Sequence, residues 1–237
     1  MESVAKAIEN ELFLLKNDEK AVFLQRFFKT GKGQYAEGDK LLGIVVPEQR
    51  RIAKTYYKHI ELSDLSYLIK SPWHECRLTG LIILVMMMNK EKDNIKRKDI
   101  VSFYLKHLSY VNNWDLVDLS APYILGKYLL DNDDKTLLYD FANSSEIWKQ
   151  RISIISTLYF IRNGHLETSL AIAEKLVYNK HDLIHKAVGW VLRELGKKDL
   201  ELEKQFLDRY YTTMPRTMLR YAIERFSDED RKHYMIK

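Results

Sequence analysis

The stretch Asn112-Asn113-Trp114-Asp115-Leu116-Val117-Asp118-Leu119-Ser120-Ala121-Pro122-Tyr123 decides how the chain is read. It opens like a helix. Asn113 is a good N-cap, because its side-chain oxygen accepts an orphan backbone N–H of the first turn. Asp115 then falls where the helix dipole favours a negative charge. Asp118 lies one turn beyond Trp114, so the two share a face, and it interrupts an apolar run. Pro122 comes four residues later and has no N–H for the carbonyl of Asp118, so the helix should bend there or leave that carbonyl free. An aromatic, a carboxylate and a kink on one face look like a site. The plainer alternative is an ordinary capped helix start.

Working outward, similar openings recur. Trp73-His74-Glu75-Cys76-Arg77, Trp114-Asp115-Leu116-Val117-Asp118, Trp148-Lys149-Gln150-Arg151 and Ile184-His185-Lys186-Ala187 each lead into an apolar helix. Their starts lie 41, 34 and 36 residues apart, with a second helix in each interval. Helix pairs at an uneven period of this size are the mark of a HEAT-like solenoid. The remaining helices are predicted at residues 3–16, 18–29, 46–58, 63–69, 96–108, 134–142, 166–178, 199–211 and 215–226, and residues 30–43 form a glycine-containing loop. No stretch alternates with period two. The expectation is therefore an all-α superhelix, with residues 1–237 as a single HEAT-like repeat domain.

Composition agrees. Hydrophobic residues make up 46% and charged residues 30% of 237, which predicts a soluble folded chain, and only nine Gly and four Pro are few for an all-β protein. Cys76 is the single cysteine, which excludes an internal disulfide and a multi-cysteine zinc site. With no signal-peptide pattern at the N-terminus, a cytoplasmic location is expected. The longest apolar run, Leu81 to Met88, is far too short for a membrane span. The formal net charge is +5, and the excess is uneven. Residues 71–183 carry 14 basic and 14 acidic side chains, whereas residues 184–237 carry 12 and nine. A nucleic-acid surface would therefore need its cations sorted onto one face.

In a solenoid, equivalent helices of successive repeats line one concave face. Asp118, Arg151 and the row Lys186, Trp190 and Arg193 fall on three such helices, and the last three share a face by their i, i+4, i+7 spacing. Two indoles, a carboxylate and several cations would then meet in a groove. Core packing is the commoner fate of a tryptophan, and an inter-repeat ion pair is the plain alternative for Arg151. Other chemistries find little support. His74-Glu75-Cys76 is half of a zinc-deaminase motif without its Pro-Cys-x-x-Cys partner. Gly31-Lys32-Gly33 is too short for a phosphate loop. No serine or cysteine nucleophile motif appears, and no lysine stands out as a Schiff-base former.

The strings NNWDLVDLSAPYILG, EIWKQRISII and HKAVGWVLRELGK resemble three signature segments of the AlkD family of DNA alkylation repair glycosylases, which are HEAT-like repeat proteins. QYAEGDKLLGIVVPEQRR and WHECRLTGLIIL resemble the same superfamily, so the likeness spans nearly the whole chain. The resemblance implies a monofunctional glycosylase that removes cationic N3- and N7-alkylated purines from duplex DNA. It places the family's catalytic aspartate on Asp118, the tryptophans that embrace the damaged nucleotide on Trp114 and Trp190, and the active-site arginine on Arg151. It also implies recognition without flipping the base into a pocket.

The residues suit that chemistry. A base alkylated at N3 or N7 is already cationic and needs no general acid to leave. The sugar develops oxocarbenium character, which a carboxylate at Asp118 stabilises while orienting or deprotonating water. Indole faces attract cations by about 0.5–2 kcal/mol each. Arg151 can bind a flanking phosphate or hold Asp118 ionised, and Lys186 and Arg193 are the expected DNA-binding cations. The chain is thus read as a monomeric alkylpurine DNA glycosylase with a concave DNA-binding face, no metal and no organic cofactor. A non-catalytic HEAT module that binds DNA structure and a protein–protein scaffold are the alternatives.

Overall fold

The computed structural model describes residues 3–132 and 134–236. Among them the regular structure is helical, and the sole β-type pairing is a parallel bridge between Lys40 and Trp73. The chain divides into two compact units, one up to Ile124 and one from Leu125 onward.

The first unit holds α1 (Val4–Leu14), α2 (Asp18–Gln25), α3 (Val46–Tyr56), α4 (Leu62–Ile69), α5 (His74–Lys90), α6 (Asn94–Lys106) and α7 (Trp114–Ala121). Helices α3, α5 and α7 pack one after another, and α4 and α6 lie against α5. Helix α5 is buried nearly all round, from His74 through Leu84. A helix apolar on every side belongs inside a stack. Its polar exceptions, His74, Glu75 and Arg77, are therefore conspicuous.

The second unit holds α8 (Lys127–Leu130), α9 (Thr136–Asn143), α10 (Ile147–Arg162), α11 (Glu167–Leu176), α12 (Asp182–Gly196), α13 (Leu200–Tyr210), α14 (Arg216–Ala222) and α15 (Asp228–Met235). Helices α8, α10, α12 and α14 form one packed row, and α9, α11 and α13 alternate with them. That two-layer alternation is the helical-repeat architecture expected from the spacing. The core runs through Ile152, Ile155, Leu158, Ile184, Val188, Val191 and Leu195, all essentially inaccessible. Buried hydroxyls in α10 are satisfied within the helix: Ser153, Ser156 and Thr157 donate to the carbonyls of Gln150, Ile152 and Ile154. At Gly189 the row is so close that an added Cβ would stand 2.4 Å from the Met218 carbonyl oxygen.

The four recurring openings are the starts of α5, α7, α10 and α12. Two details differ from the sequence expectation, and an expected irregularity takes a specific form. Helix α2 ends at Gln25 instead of continuing to residue 29, and Phe28, beyond its end, stacks on Trp114 and packs against His74. The irregularity expected at Pro122 takes the form of a π-helical turn over Pro122–Gly126, a common accommodation of a missing backbone donor. Helix α15 was not expected. Its sequence is polar, Tyr234 is its one buried residue, and it is held at its start by Ser227, which accepts the Asp230 N–H.

Candidate functional site

Helix α7 begins as its sequence dictates. Asn113 adopts extended backbone, and its Oδ1 accepts the Trp114 N–H at 2.8 Å. Leu116, Val117, Ser120 and Ala121 are buried, whereas Trp114, Asp115 and Asp118 are half-buried on the more open side. The buried side is anchored to α6. Ser120 donates to the Leu116 carbonyl, and the buried Tyr104 hydroxyl lies 2.9 Å from Ser120 Oγ, leaving Tyr104 as the donor of that pair. Burial, and to a smaller extent the Asp118 charge, raise the Tyr104 pKa, so the donor stays protonated. Trp114 and Asp118 thus share one face of one helix, one turn apart, as the spacing predicts.

The indole is supported from below. The Phe28 ring stacks on Trp114 at 5.5 Å between centroids and 24° between planes, and it also meets the His74 ring, tilted by 39°, at 4.8 Å. Trp114 Nε1 reaches towards the Phe27 carbonyl at 3.4 Å. Beneath this three-ring stack is a buried charged cluster. His74 Nε2 is 2.7 Å from Asp115 Oδ2, and His74 Nδ1 is 3.4 Å from Asp39 Oδ2. Arg77 donates to Asp39 Oδ1 at 2.7 Å and to the Ser71 carbonyl at 3.0 Å, and Asn113 Nδ2 donates to Asp39 Oδ2 at 3.3 Å. The remaining Asp115 oxygen accepts the Leu116 N–H at 2.8 Å.

A neutral imidazole has one donor and one acceptor, so carboxylates at both ring nitrogens call for the imidazolium. Burial opposes that charge, but Asp115 first and Asp39 second outweigh it, and the His74 pKa is raised to about 9. Asp39 shows the reverse balance: burial works against its charge, yet His74 and Arg77 hold its pKa below the usual carboxylate value. Among the described residues no group of His, Cys, Asp and Glu side chains is arranged to hold a metal ion. Beside His74, Glu75 turns the other way, and its carboxylate accepts the backbone N–H groups of Leu42, Gly43 and Ile44 at 2.8, 2.8 and 3.3 Å.

The second unit carries the other expected residues. Arg151 is buried on α10, and its Nη1 donates to the Leu183 carbonyl at 2.5 Å, tying α10 to the first turn of α12. Trp190 is half-buried on α12. Lys186 pairs with Asp182 one turn back at 2.7 Å, and this ammonium holds the Asp182 pKa down. Arg193 donates from Nη1 to Glu224, on the 3₁₀ turn Ile223–Arg225. Trp114 and Asp118 therefore lie together in the first unit, and Arg151, Lys186, Trp190 and Arg193 in the second.

Sequence reasoning missed Asp39, Phe28 and the roles of His74, Glu75 and Arg77. A signal was there: three charged or titratable residues within the first four positions of a long helix with a mostly apolar continuation must find buried partners. Glu75 and Arg77 enter the sequence reading as part of a repeat opening and of the WHECRLTGLIIL string, and Glu75 also as part of half a zinc-deaminase motif.

Comparisons with known proteins place this geometry. No curated protein matches the chain. A predicted DNA alkylation repair enzyme from Enterococcus faecalis has a similar solved structure, with a TM-score of 0.70 and 14% identity over 90% of this chain and 97% of that one. AlkD2 from Streptococcus mutans is similar at a TM-score of 0.55 and 16% identity, covering 89% and 99% of the two chains. The smu.31 protein of Streptococcus mutans UA159 is similar at 0.55 and 17%, covering 77% and 93%. At these identities the likeness concerns the fold. The family model described as DNA alkylation repair enzyme matches residues 8–226, and the chain belongs to that family.

Proposed function

We propose that the protein is a monofunctional DNA glycosylase that hydrolyses the N-glycosidic bond of cationic N3- and N7-alkylated purines in duplex DNA. The observation that carries this reading is the pairing on α7 of a half-buried indole and a half-buried carboxylate, Trp114 and Asp118, in a chain of a DNA alkylation repair family. The base departs with the electron pair of its bond to the sugar, which neutralises its positive charge. Water then adds to the sugar carbon and loses a proton. Asp118 stabilises the oxocarbenium charge and orients the water. Trp114 and Trp190 supply cation-attracting faces. Arg151 binds a flanking phosphate, and Lys186 and Arg193 contact phosphates. The chain works as a monomer, as one domain over residues 1–237, in the cytoplasm, without metal or organic cofactor. No helix among the described residues is long and apolar enough to cross a membrane.

The test is incubation with methylated duplex DNA and chromatography of the released bases. Release of 3-methyladenine and 7-methylguanine is expected. Duplex binding without release would favour recognition of DNA structure, and neither binding nor release would favour a protein–protein scaffold.

A further inference from the structure

The cluster around His74 joins three separate segments. His74 comes from α5, Asp39 from the 30–43 loop and Asp115 from the first turn of α7. His74 is 2% exposed. Among the described residues, the charged groups that act on it are Asp115 from α7, Asp39 from the loop, and Arg77 one turn along its own helix. From the α2 side it is met by the uncharged Phe28 ring. With an imidazolium and a guanidinium against two carboxylates, the buried cluster is electrically balanced. Removing the His74 proton would leave one buried carboxylate charge without compensation, and water cannot easily supply it there. The same ring forms the floor of the stack His74–Phe28–Trp114. The Trp114 indole is thus connected to the charged cluster twice, through Phe28 and through the backbone of its own helix at Asp115.

We infer that protonated His74 is a positioning residue for Trp114, fixing the indole by clamping Asp115 from below and carrying the Phe28 ring against it. This rests on the glycosylase reading only in what the indole is positioned for. When the imidazolium loses its proton, the clamp opens on the α7 side, Phe28 loses a fixed floor, and Trp114 changes its environment while the remainder of the stack persists. Mispositioning of a substrate-facing group costs on the order of 10-fold or more in rate, so the excision step slows and DNA affinity, set mainly by phosphates, does not.

The experiment is a pH titration of the intact wild-type protein between pH 6.5 and 10.5. The His74 imidazole is followed by carbon-detected NMR and the Trp114 indole N–H by its nitrogen–proton signal, assigned with Trp114→Phe. Both signals should move with one common midpoint near 9. His74→Gln should leave the Trp114 signal flat, and Asp115→Asn should lower the common midpoint. An indole signal indifferent to His74 titration overturns the proposal, as does a His74→Gln variant with an unchanged Trp114 signal and pH profile and only a lower melting temperature. The wild-type titration decides the matter even where a variant fails to fold. Single-turnover excision of 7-methylguanine should fall about tenfold across the same midpoint with duplex binding unchanged. Coupled NMR titration without base release at any pH would support the clamp and refute the glycosylase reading. Release without coupled titration would do the opposite.

Discussion

The carboxylate of Glu203 occupies the space in which a side chain of Gly196 would stand: a Cβ built there would fall 1.6 Å from Oε2. Glu203 is 2% exposed, and its Oε1 has no hydrogen-bond partner. Burial raises its pKa to about 8, against a smaller lowering by the Arg193 charge. The folded state therefore prefers the protonated acid. Its favourable contribution is complete below the ordinary glutamate value of 4.5 and is lost as pH rises through about 8. Glu203→Gln should raise the melting temperature at pH 8, because the amide removes the charge that burial opposes, and should change little at pH 4. Gly196→Ala should destabilise, and Glu203→Ala should rescue it, a non-additivity visible in a double-mutant cycle.

Asp118→Asn keeps the shape of the side chain and removes its charge. The variant should bind methylated duplex normally and excise 7-methylguanine about 10²–10³-fold more slowly, the usual loss for one electrostatic stabiliser. A more labile adduct such as 3-methyladenine should show a smaller loss. Uracil should be cut by neither protein, since nothing protonates a neutral leaving base. Single-turnover kinetics at saturating enzyme measure this directly. Equal rates at equal occupancy would make Asp118 a helix-terminal acid and no more.

Affinity for duplex DNA should fall with salt, with a log–log slope of about −0.9 for each phosphate neutralised. Lys186→Ala should make the slope shallower by about that amount. Like Lys186, which Asp182 holds, Arg193 is already paired, its guanidinium with Glu224. Glu224→Gln should release it and tighten binding at low salt, with a steeper slope. A salt-independent affinity would exclude phosphate contacts by either residue.

Stability should also carry the signature of the buried cluster. The His74 pKa is raised from 6.5 to about 9, so its contribution is complete below pH 6.5 and is lost as pH rises through 9. The Asp39 pKa is lowered from 3.8, so its contribution is present above that value and is lost as pH falls through the depressed one. Chemical denaturation should show stability declining as pH rises from about 6.5 to about 9 and levelling off above it, and His74→Gln should lack that component of the decline.

The parts of the molecule that follow from local chemistry could be read in advance. The Asn113 cap, the shared face of Trp114 and Asp118, the irregularity at Pro122 and the recurrence of helix openings all depend on spacing within a turn or on a repeat period. The cluster beneath them depends on contacts across 35 to 41 positions, from His74 to Asp39 and Asp115, which no periodicity encodes. Phe28 was hidden for a related reason: a helical pattern carried on through it, while its ring was better satisfied outside the helix, between two other rings. Helix α15 escaped notice because a polar segment with a single buried Tyr234 has almost no amphipathic signature.

Glu75 supplies the 42–44 loop with an internal anion. Three backbone amides converge on its carboxylate, and Gly43, at φ 81°, has no room for a side chain, since a Cβ would fall 2.1 Å from the Asn17 carbonyl oxygen. Such a concavity of amides is what proteins elsewhere use to capture phosphate or carboxylate ligands from solution. Here the ligand is covalently tethered, at an effective concentration no solute can match, so the loop is withdrawn from competition with the DNA backbone. Truncation to Glu75→Ala would convert that loop into a vacant receptor for small anions. Formate or acetate should then restore part of the lost thermal stability in a saturable way, whereas chloride of equal ionic strength should not.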